Sequence, residues 1–551
     1  MGIYLNPGKG AFEEAVNSQI FVDKTGMISY LNTLVKTKQK YVSVSRPRRF
    51  GKTMAADMIC AYYDRTADSR NLFASTKLSA FTDENWDRYL NQFHVIRIVM
   101  TDFLNINTSV KESLSYLTEE LTTELMDAFP DIRYGSRINL RIVMNKIYAE
   151  TGIPFVVVID EWDAVFRTRK EDKNGQILYL NFIRDWLKDK EYIALAYMTG
   201  ILPIKKYGEH SALNMFDEYS MIAPMQLAPY TGFTDDEVRS LCNQYGRDYN
   251  EIRDWYDGYI VSDVVPADPG HRILDETGSS PEARQYALYS PLSVVNALRY
   301  GVIRNYWNNT ESYEALAEYI RRDFDGLKST VALLMDGGRV KVDLSTYQND
   351  MTTFHSKDDI LALLIHLGYL GYDASTGEVF IPNKEILDVF RSSTKTSEWR
   401  GTFKAFETSQ ELLKATWAMD EKKVAELLEE AHDQTSNQSY NNEAALSYSI
   451  QLAYYAAEKY YTKALELDTG KVYADVVYIP GPQYSDKPVL LIELKYNQNT
   501  ETALEQIRKR NYPERLVHYK GNILLVGINY DKDLKNTDSA YKHHTCRIEK
   551  A

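Results

Sequence analysis

The residues of the N-terminal half best suited to chemistry read SRPRRFGKT, positions 45 to 53. A phosphate cradle needs a strand that ends in a tight loop of converging backbone N–H groups, then a helix whose N-terminus favours anions. YVSVS (41 to 45), RPRRFG and KTMAADMICAYY supply that order. In such a cradle Lys52 reaches the β- and γ-phosphates, Thr53 joins the shell of a magnesium ion, and Gly51 lets the backbone come close. The usual loop is GxxxxGK[ST], and Arg46 stands where its first glycine belongs. The match therefore narrows to GKT, and context must carry it.

Context comes from FVVVIDEWD (155 to 163), a run of apolar β-formers that ends in Asp160 and Glu161. Asp160 is suited to hold Mg²⁺, directly or through water, and Glu161 to orient and polarise an attacking water. The next strand ends YMTG, which places Thr199 where a polar side chain can sense a γ-phosphate. Alone, DEWD reads as an exposed acidic turn after a buried strand. With a GKT junction before it and a polar tip after it, nucleotide binding is the better reading.

A second constellation lies near the C-terminus. Metal-dependent phosphodiester cleavage needs carboxylates converging on divalent ions, plus a cation near the attacking water or the developing charge. Asp475 falls on KVYADVVYIP, and Glu493 and Lys495 fall on PVLLIELKY, where a period of two puts both on one strand face. If the two strands pair as a hairpin, Asp475 comes near that face. Glu443, at the start of a predicted helix, is a further metal or water ligand candidate. The competing reading is a surface salt bridge between Glu493 and Lys495 in a degenerate domain. Arg508, Lys509, Arg510, Arg515 and Lys520 form a local basic track suited to a phosphate backbone. His543, His544 and Cys546 lack a fourth ligand and read as a solvated tail rather than a zinc site.

These residues need elements to position them. Strand-like runs at 41–45, 93–100, 155–160, 193–199 and 219–225 alternate with helical stretches, which predicts a parallel α/β sheet. Beyond Pro229 the pattern turns helical, with a polar segment at 265–284 read as a surface loop. At 358–390 a helix, a hairpin turning at Ser375 to Gly377 and a second helix make a winged-helix-like unit. Its acidic start favours a lid or packing role over DNA contact. The expected division is a core at 1–228, a helical lid and winged-helix-like region at 229–395, and an α/β domain at 396–551.

The bulk numbers narrow the class. A chain of 551 residues exceeds one ordinary core, and 44% hydrophobic with 26% charged residues is globular. No run approaches the length of a membrane helix, and the opening MGIYLNPGKG has no apolar core, so the expected location is the cytoplasm. Three distant cysteines exclude a disulfide framework. A net charge of −13 argues against wholesale coating of nucleic acid but allows one basic groove.

FVDKTGMI (21 to 28), SRPRRFGKT, VVIDEWDAVF, YMTGILPIKK, LAPYTGFTDDEV, WYDGYI and YSPLSVV resemble the AAA-ATPase-like family of bacterial proteins fused to a C-terminal PD-(D/E)XK nuclease-like domain. In that family RPRRFGK[ST] is the usual loop, so Arg46 is a family habit; Trp162 replaces the usual Tyr between the acids. The resemblance implies a P-loop ATPase core with an additional strand, binding ATP and Mg²⁺, and a restriction-endonuclease-like domain using Mg²⁺ or Mn²⁺. It adds Gln506 and Tyr512, which match the QxxxxxY feature of the nuclease superfamily. Arg46, Arg48 and Arg49 would touch phosphates or cap acidic neighbours, and Asp23 and Lys24 would bind the base side or brace the sheet. Two functions remain open: an ATPase coupled to a nuclease that cuts nucleic acid, with foreign DNA one target, or an ATP-gated switch that recognises nucleic acid or protein without cutting. Either allows an oligomer.

Overall fold

The computed structural model describes all residues except 1, 82–84, 107, 205–212, 263–283, 308–311, 322–324, 346, 348–353, 396, 434–445, 447–449, 451–452, 465–475, 509–521 and 532–542, and only the backbone of 81, 312–315, 397–398, 432–433, 463–464 and 506–508. It forms two compact units, one of residues 1–319 with 341–390 and one of residues 320–340 with 391–551. The polar segment at 265–284 falls almost wholly outside the described residues.

The first unit is built on five parallel strands: β1 (Tyr41–Ser45), β2 (His94–Val99), β3 (Phe155–Asp160), β4 (Ile193–Gly200) and β5 (Asp217–Tyr219). Their order is β2-β3-β4-β1-β5. Every residue of β1, β3 and β4 is buried; β3 and most of β4 accordingly read as apolar runs, while β1 carries the small buried Ser43 and Ser45. Because β4 lies between β1 and β3, Thr199 is opposite Asp160 on one side and Gly200 opposite Ser45 on the other. Parallel strands send all their C-terminal ends to one edge, so the loops after β1, β3 and β4 meet there.

Helices α1 (Lys52–Tyr63), α2 (Val110–Ala128), α3 (Leu140–Thr151) and α4 (Lys173–Leu187) cover the sheet and one another. Local chemistry sets their ends. The side chains of Ser109, Asn139 and Asp172 accept from the N–H groups of Glu112, Ile142 and Gly175, and α3 stops at Gly152 in the left-handed region. The fifth strand departs from expectation. It ends at Tyr219 instead of spanning 219–225, because Ser220 Oγ accepts from the N–H groups of Ile222 and Ala223 and turns the chain. Met225–Tyr230 then forms a 3₁₀ helix containing Pro229.

The rest of this unit holds β6 (Phe233–Thr234), β7 (Tyr259–Ser262) and β8 (Gln285–Tyr289), ordered β6-β8-β7, with helices α5 (Asp235–Tyr245) and α6 (Pro291–Tyr300). A capping box between Thr234 and Glu237 starts α5. Next come α7 (Lys357–Leu367), the hairpin β9 (Gly371–Asp373) with β10 (Glu378–Phe380), and α8 (Lys384–Ser393). This is the helix–hairpin–helix order expected from the sequence.

The second unit carries the sheet β11 (Tyr461–Ala464), β12 (Val476–Pro480), β13 (Val489–Tyr496), β14 (Ile523–Tyr530) and β15 (His544–Lys550) in sequential order. Only the β13–β14 pair is parallel. Side chains of β13 alternate between two cores. Leu490, Ile492 and Leu494 pack with Leu412 of α9 (Ser397–Trp417) and Leu428 of α10 (Glu421–Asp433). Val489 and Leu491 pack with Leu504 of α11 (Thr500–Arg508). The expected solvated tail at 543–546 is instead the start of edge strand β15: His544 is buried and its Nδ1 lies 2.7 Å from Glu429 Oε2. Pairing with β14 draws this segment into the sheet, which no local pattern announced.

Candidate functional site

At the C-terminal edge of the first sheet lies a cavity of about 1210 Å³. Gly51, the N-cap of α1, has φ 83°, and no atom lies near where its Cβ would stand. Conformation, not space, calls for glycine there. Two non-glycine residues on the cavity wall, Arg49 (φ 71°) and Glu161 (φ 50°), also occupy the left-handed region, a strain that persists only where the surroundings impose it.

Lys52 is buried, and its Nζ donates to the carbonyls of Arg46 and Pro47 at 3.0 and 2.8 Å. Burial pushes its pKa down to about 8, against the pull of Asp163, Asp160 and Glu161 and with some help from Arg167. Thr53 is exposed at the helix start and its hydroxyl bonds the Asp160 carboxylate. Asp160 is buried, which raises its pKa, while Thr53, Lys52, Arg97 and the Glu161 N–H oppose the rise. Lys52, Thr53, Asp160 and Glu161 thus face one space. A lysine, a hydroxyl paired with a carboxylate, and a second carboxylate around a helix N-terminus fit a phosphate chain with a divalent ion. The lining also includes the apolar Ile20, Val22, Met54, Tyr230, Phe233 and Val295, which suit a flat base.

The three arginines of the loop go three ways. Arg46 is fully buried beneath it and does not line the cavity. Its Nη1 donates to the carbonyls of Ser45 and Tyr219 at 2.8 and 2.7 Å, joining β1 to β5. Arg48 is exposed on the rim. Arg49 donates from Nη1 to the Tyr306 carbonyl at 3.1 Å. Thr199 is buried beside Asp160, and Gly200, not Thr199, reaches the lining. Asp23 accepts from Thr25 and from the Lys77 N–H, a brace between segments. Lys24 lines the cavity but donates to Glu237 and to the Pro229 carbonyl. Sequence reasoning passed over Asp163, Arg167 and Arg299. The first two carry a signal, an i,i+4 acid–base pair directly after the acidic tip; Arg299 on α6 carries none.

The later part of this unit grips the phosphate loop. Gly368, which ends α7 at φ 87°, sits so close that an added Cβ would stand 2.7 Å from Pro47 Cβ and 3.2 Å from the Trp307 ring. The Phe50 ring meets Tyr259 edge-on at 5.3 Å, and the Tyr259 hydroxyl donates to the Gly368 carbonyl at 2.6 Å. Gly368→Ala is expected to destabilise the protein by about 2 kcal/mol or more through left-handed strain and overpacking. A thermal unfolding scan of the full chain measures the drop.

Glu385 on α8 completes the grip. It accepts from the N–H groups of Tyr306 and Trp307 at 2.7 and 3.1 Å and from the Ser293 hydroxyl at 2.8 Å. Burial pushes its pKa up from 4.5 to about 7, against the pull of these donors and Arg49. Between those values the folded protein keeps a proton that the unfolded chain has released. This contribution to stability is therefore complete below the unfolded value and is lost as pH rises through the folded one. Glu385→Gln is expected to abolish that slope and to stabilise the protein at pH 8 by up to about 3 kcal/mol relative to the native chain. Urea unfolding of both proteins at pH 5 and pH 8 provides the check; equal slopes would contradict it.

In the second unit Glu493 and Lys495 share one face of β13, both almost wholly buried, with Nζ donating to Oε1 at 3.1 Å. Leu491 and Val489 of the same face pack with α11, and Gly527 opposite Glu493 lets that helix approach: an added Cβ would stand 3.0 Å from the Thr500 carbonyl oxygen. The hairpin of β12 and β13 forms as expected, its last described pair Val476 opposite Ile492. Asp475, Glu443 and Tyr512 lie outside the described residues, as do Lys509, Arg510, Arg515 and Lys520 of the basic track; Gln506 and Arg508 lie on α11 with only their backbone described. Among the described residues no group of three His, Cys, Asp or Glu side chains is arranged to hold a metal ion. No helix among them is long and apolar enough to cross a membrane.

Comparison with known proteins agrees with both regions. Residues 10–208 match the family AAA-ATPase-like, described as predicted AAA-ATPase, and residues 441–539 match the PD-(D/E)XK nuclease superfamily. A curated relative, described as an uncharacterized protein in vnfD 5'region of Azotobacter chroococcum mcd 1, is 26% identical over 250 residues, which is 43% of this chain and 45% of that one. The chain thus spans less than half the length of that relative. Among solved structures, the Aeropyrum pernix ORC2 protein in its ADPNP-ADP complexes aligns over 70% of this chain and 94% of its own, at 10% identity and a TM-score of 0.22. Domains of the two matched kinds imply use of nucleotide and divalent metal and contact with nucleic acid. The chain carries an AAA-like ATPase region on its N-terminal side and a PD-(D/E)XK nuclease-like region on its C-terminal side.

Proposed function

We propose that the protein hydrolyses ATP with Mg²⁺ and uses its nucleotide state to govern a metal-dependent nuclease that cuts nucleic acid, DNA foremost. The observation that carries this reading is the gathering of Lys52, Thr53, Asp160 and Glu161 on one cavity of a β2-β3-β4-β1-β5 parallel sheet. In this site Lys52 exchanges the loop carbonyls for phosphate oxygens, and Thr53 with Asp160 holds the metal. Magnesium, when bound, neutralises charge on the β- and γ-phosphates. Glu161 orients a water whose oxygen attacks the γ-phosphorus and takes the proton it releases, as the bond to the bridging oxygen breaks and ADP leaves.

In the nuclease region Asp475, Glu493 and Glu443 are the proposed metal ligands, Lys495 steadies the attacking water or developing charge, and Gln506 and Tyr512 support them. Mn²⁺ is an acceptable substitute there. The proposed division follows the boundaries 1–228, 229–395 and 396–551, with foreign DNA as target and the cytoplasm as location. Measuring cleavage of single- and double-stranded DNA and RNA with Mg²⁺ or Mn²⁺, with and without ATP, tests the coupling; ATP-independent cleavage would remove it.

A second reading has its own observation. Glu493 and Lys495 are buried and bonded to each other, a state that also suits a domain that recognises without cutting. Tight ATP binding with slow turnover and no cleavage of any of these polymers would favour that switch.

A further inference from the structure

One arginine ties the acidic tip of the ATP site together. Arg167 lies on the short helix Ala164–Thr168 and lines the cavity. Its Nε donates to Asp163 Oδ2 at 3.1 Å, and its Nη2 donates to Glu161 Oε2 at 3.3 Å. Asp163 is fully buried, and the same oxygen accepts from the N–H groups of Ile201 and Leu202, just past β4, at 3.1 and 3.0 Å. Three donors on one sheltered oxygen make Asp163 a rigid mount. Asp163 holds the guanidinium at Nε, which leaves the two terminal nitrogens for other partners, Glu161 among them.

The two ends of this arm differ. The Asp163 contact is anchored by backbone groups, whereas the Glu161 carboxylate is 40% exposed and meets Arg167 at the longer distance. Glu161 is the partner that an incoming anion can displace. Arg167 is also close enough to Lys52 to lower the tendency of that ammonium to stay charged. Lys52 and Arg167 both line this cavity beside Asp160, Glu161 and Asp163, so an anion that joins them arrives with a divalent cation of its own. Of the other cations lining the cavity, Lys24 bonds Glu237, Arg49 the Tyr306 carbonyl and Arg299 Gln19 Oε1 at 3.3 Å, and Arg48 stands exposed on the rim.

We infer that Arg167 reads the terminal phosphate of the bound nucleotide, exchanging its Glu161 contact for a γ-phosphate oxygen and thereby setting Glu161 free when ATP, but not ADP, is present. This rests on the ATP-site reading above. Asp163 then acts as the positioning residue behind Arg167, and no other subunit is needed to supply this cation.

Titration calorimetry of the full chain with Mg²⁺ and either ADP or a non-hydrolysable β,γ-imido analogue of ATP tests it. Arg167→Ala is expected to weaken the ATP analogue about tenfold and to change ADP by less than about twofold. Arg167→Lys keeps the charge and stem but not the fork, so a loss of about threefold confined to the ATP analogue is expected, and it carries the comparison if the alanine variant does not fold. Equal losses for both nucleotides, or none, in a chain whose native form binds both would overturn this inference alone. A native chain that binds neither would take the ATP-site reading down with it.

Discussion

Lys52→Ala is expected to lower ATP turnover by about 10²- to 10³-fold, the effect of removing a preorganised charge from a water-poor phosphate site. The basis is the setting of the side chain. Its ammonium is buried, bonded to two loop carbonyls and held at a pKa of about 8, so it gains more from an approaching phosphate than an exposed lysine would. Those carbonyls also lose their donor in the variant, so thermal unfolding must accompany the assay to separate a chemical loss from a structural one. Phosphate release at saturating Mg-ATP gives the rate. Turnover retained within a few fold in a folded variant would reject Lys52 as the phosphate ligand.

Glu493→Gln is expected to reduce cleavage of nucleic acid by about a thousandfold while leaving ATP turnover unchanged, because removing one charged metal ligand disarms the ion without touching the other site. Glutamine is chosen for a physical reason. The Glu493–Lys495 pair is buried, and truncating either member leaves an unpaired buried charge, which costs about 3–5 kcal/mol and confuses lost chemistry with lost folding. Asp475→Ala should show the same separation of activities. A gel assay of labelled duplex and single strands with Mg²⁺ and with Mn²⁺ reads both variants. Cleavage at the native rate in Glu493→Gln would place the chemistry elsewhere or assign it to a contaminant, and cleavage absent already in the native chain would favour the non-cutting switch.

The paired experiments also ask whether the two sites communicate. Within the first unit the phosphate loop is gripped by Gly368, Tyr306 and Tyr259, all from the segment after residue 229. A change of the loop on binding phosphate is therefore felt by the helix–hairpin–helix part of that unit. Arg49, strained and hydrogen-bonded to the Tyr306 carbonyl, links them through Glu385, which accepts from the Tyr306 N–H.

Much of the architecture is legible in the sequence. Strands buried on both faces are rich in apolar β-formers, so YVSVS, FVVVID and IALAYMT announced parallel core strands, and the turn at Ser375 to Gly377 announced its hairpin. Gly51, Lys52, Thr53, Asp160 and Glu161 were legible for the same local reason: each sits at a junction between an apolar run and a helix or loop, where the chain must expose its polar chemistry. The alternation along LLIELKY likewise put Glu493 and Lys495 on one face.

Other features were decided only in three dimensions. The place of Arg46 depends on a carbonyl 173 residues away in sequence, at Tyr219, so an arginine in a phosphate loop turned out to be a buried tie between β1 and β5 rather than part of the cavity wall. Burial of His544 depends on β15 joining β14, and the grip on Asp163 depends on N–H groups just beyond β4. The sequence by itself determined which residues stand at the strand ends, because hydrophobic period and turn chemistry act over a few positions. Only the tertiary structure decided which polar groups meet, because their partners come from strands and loops made neighbours by sheet order, and local pattern contains no record of that order.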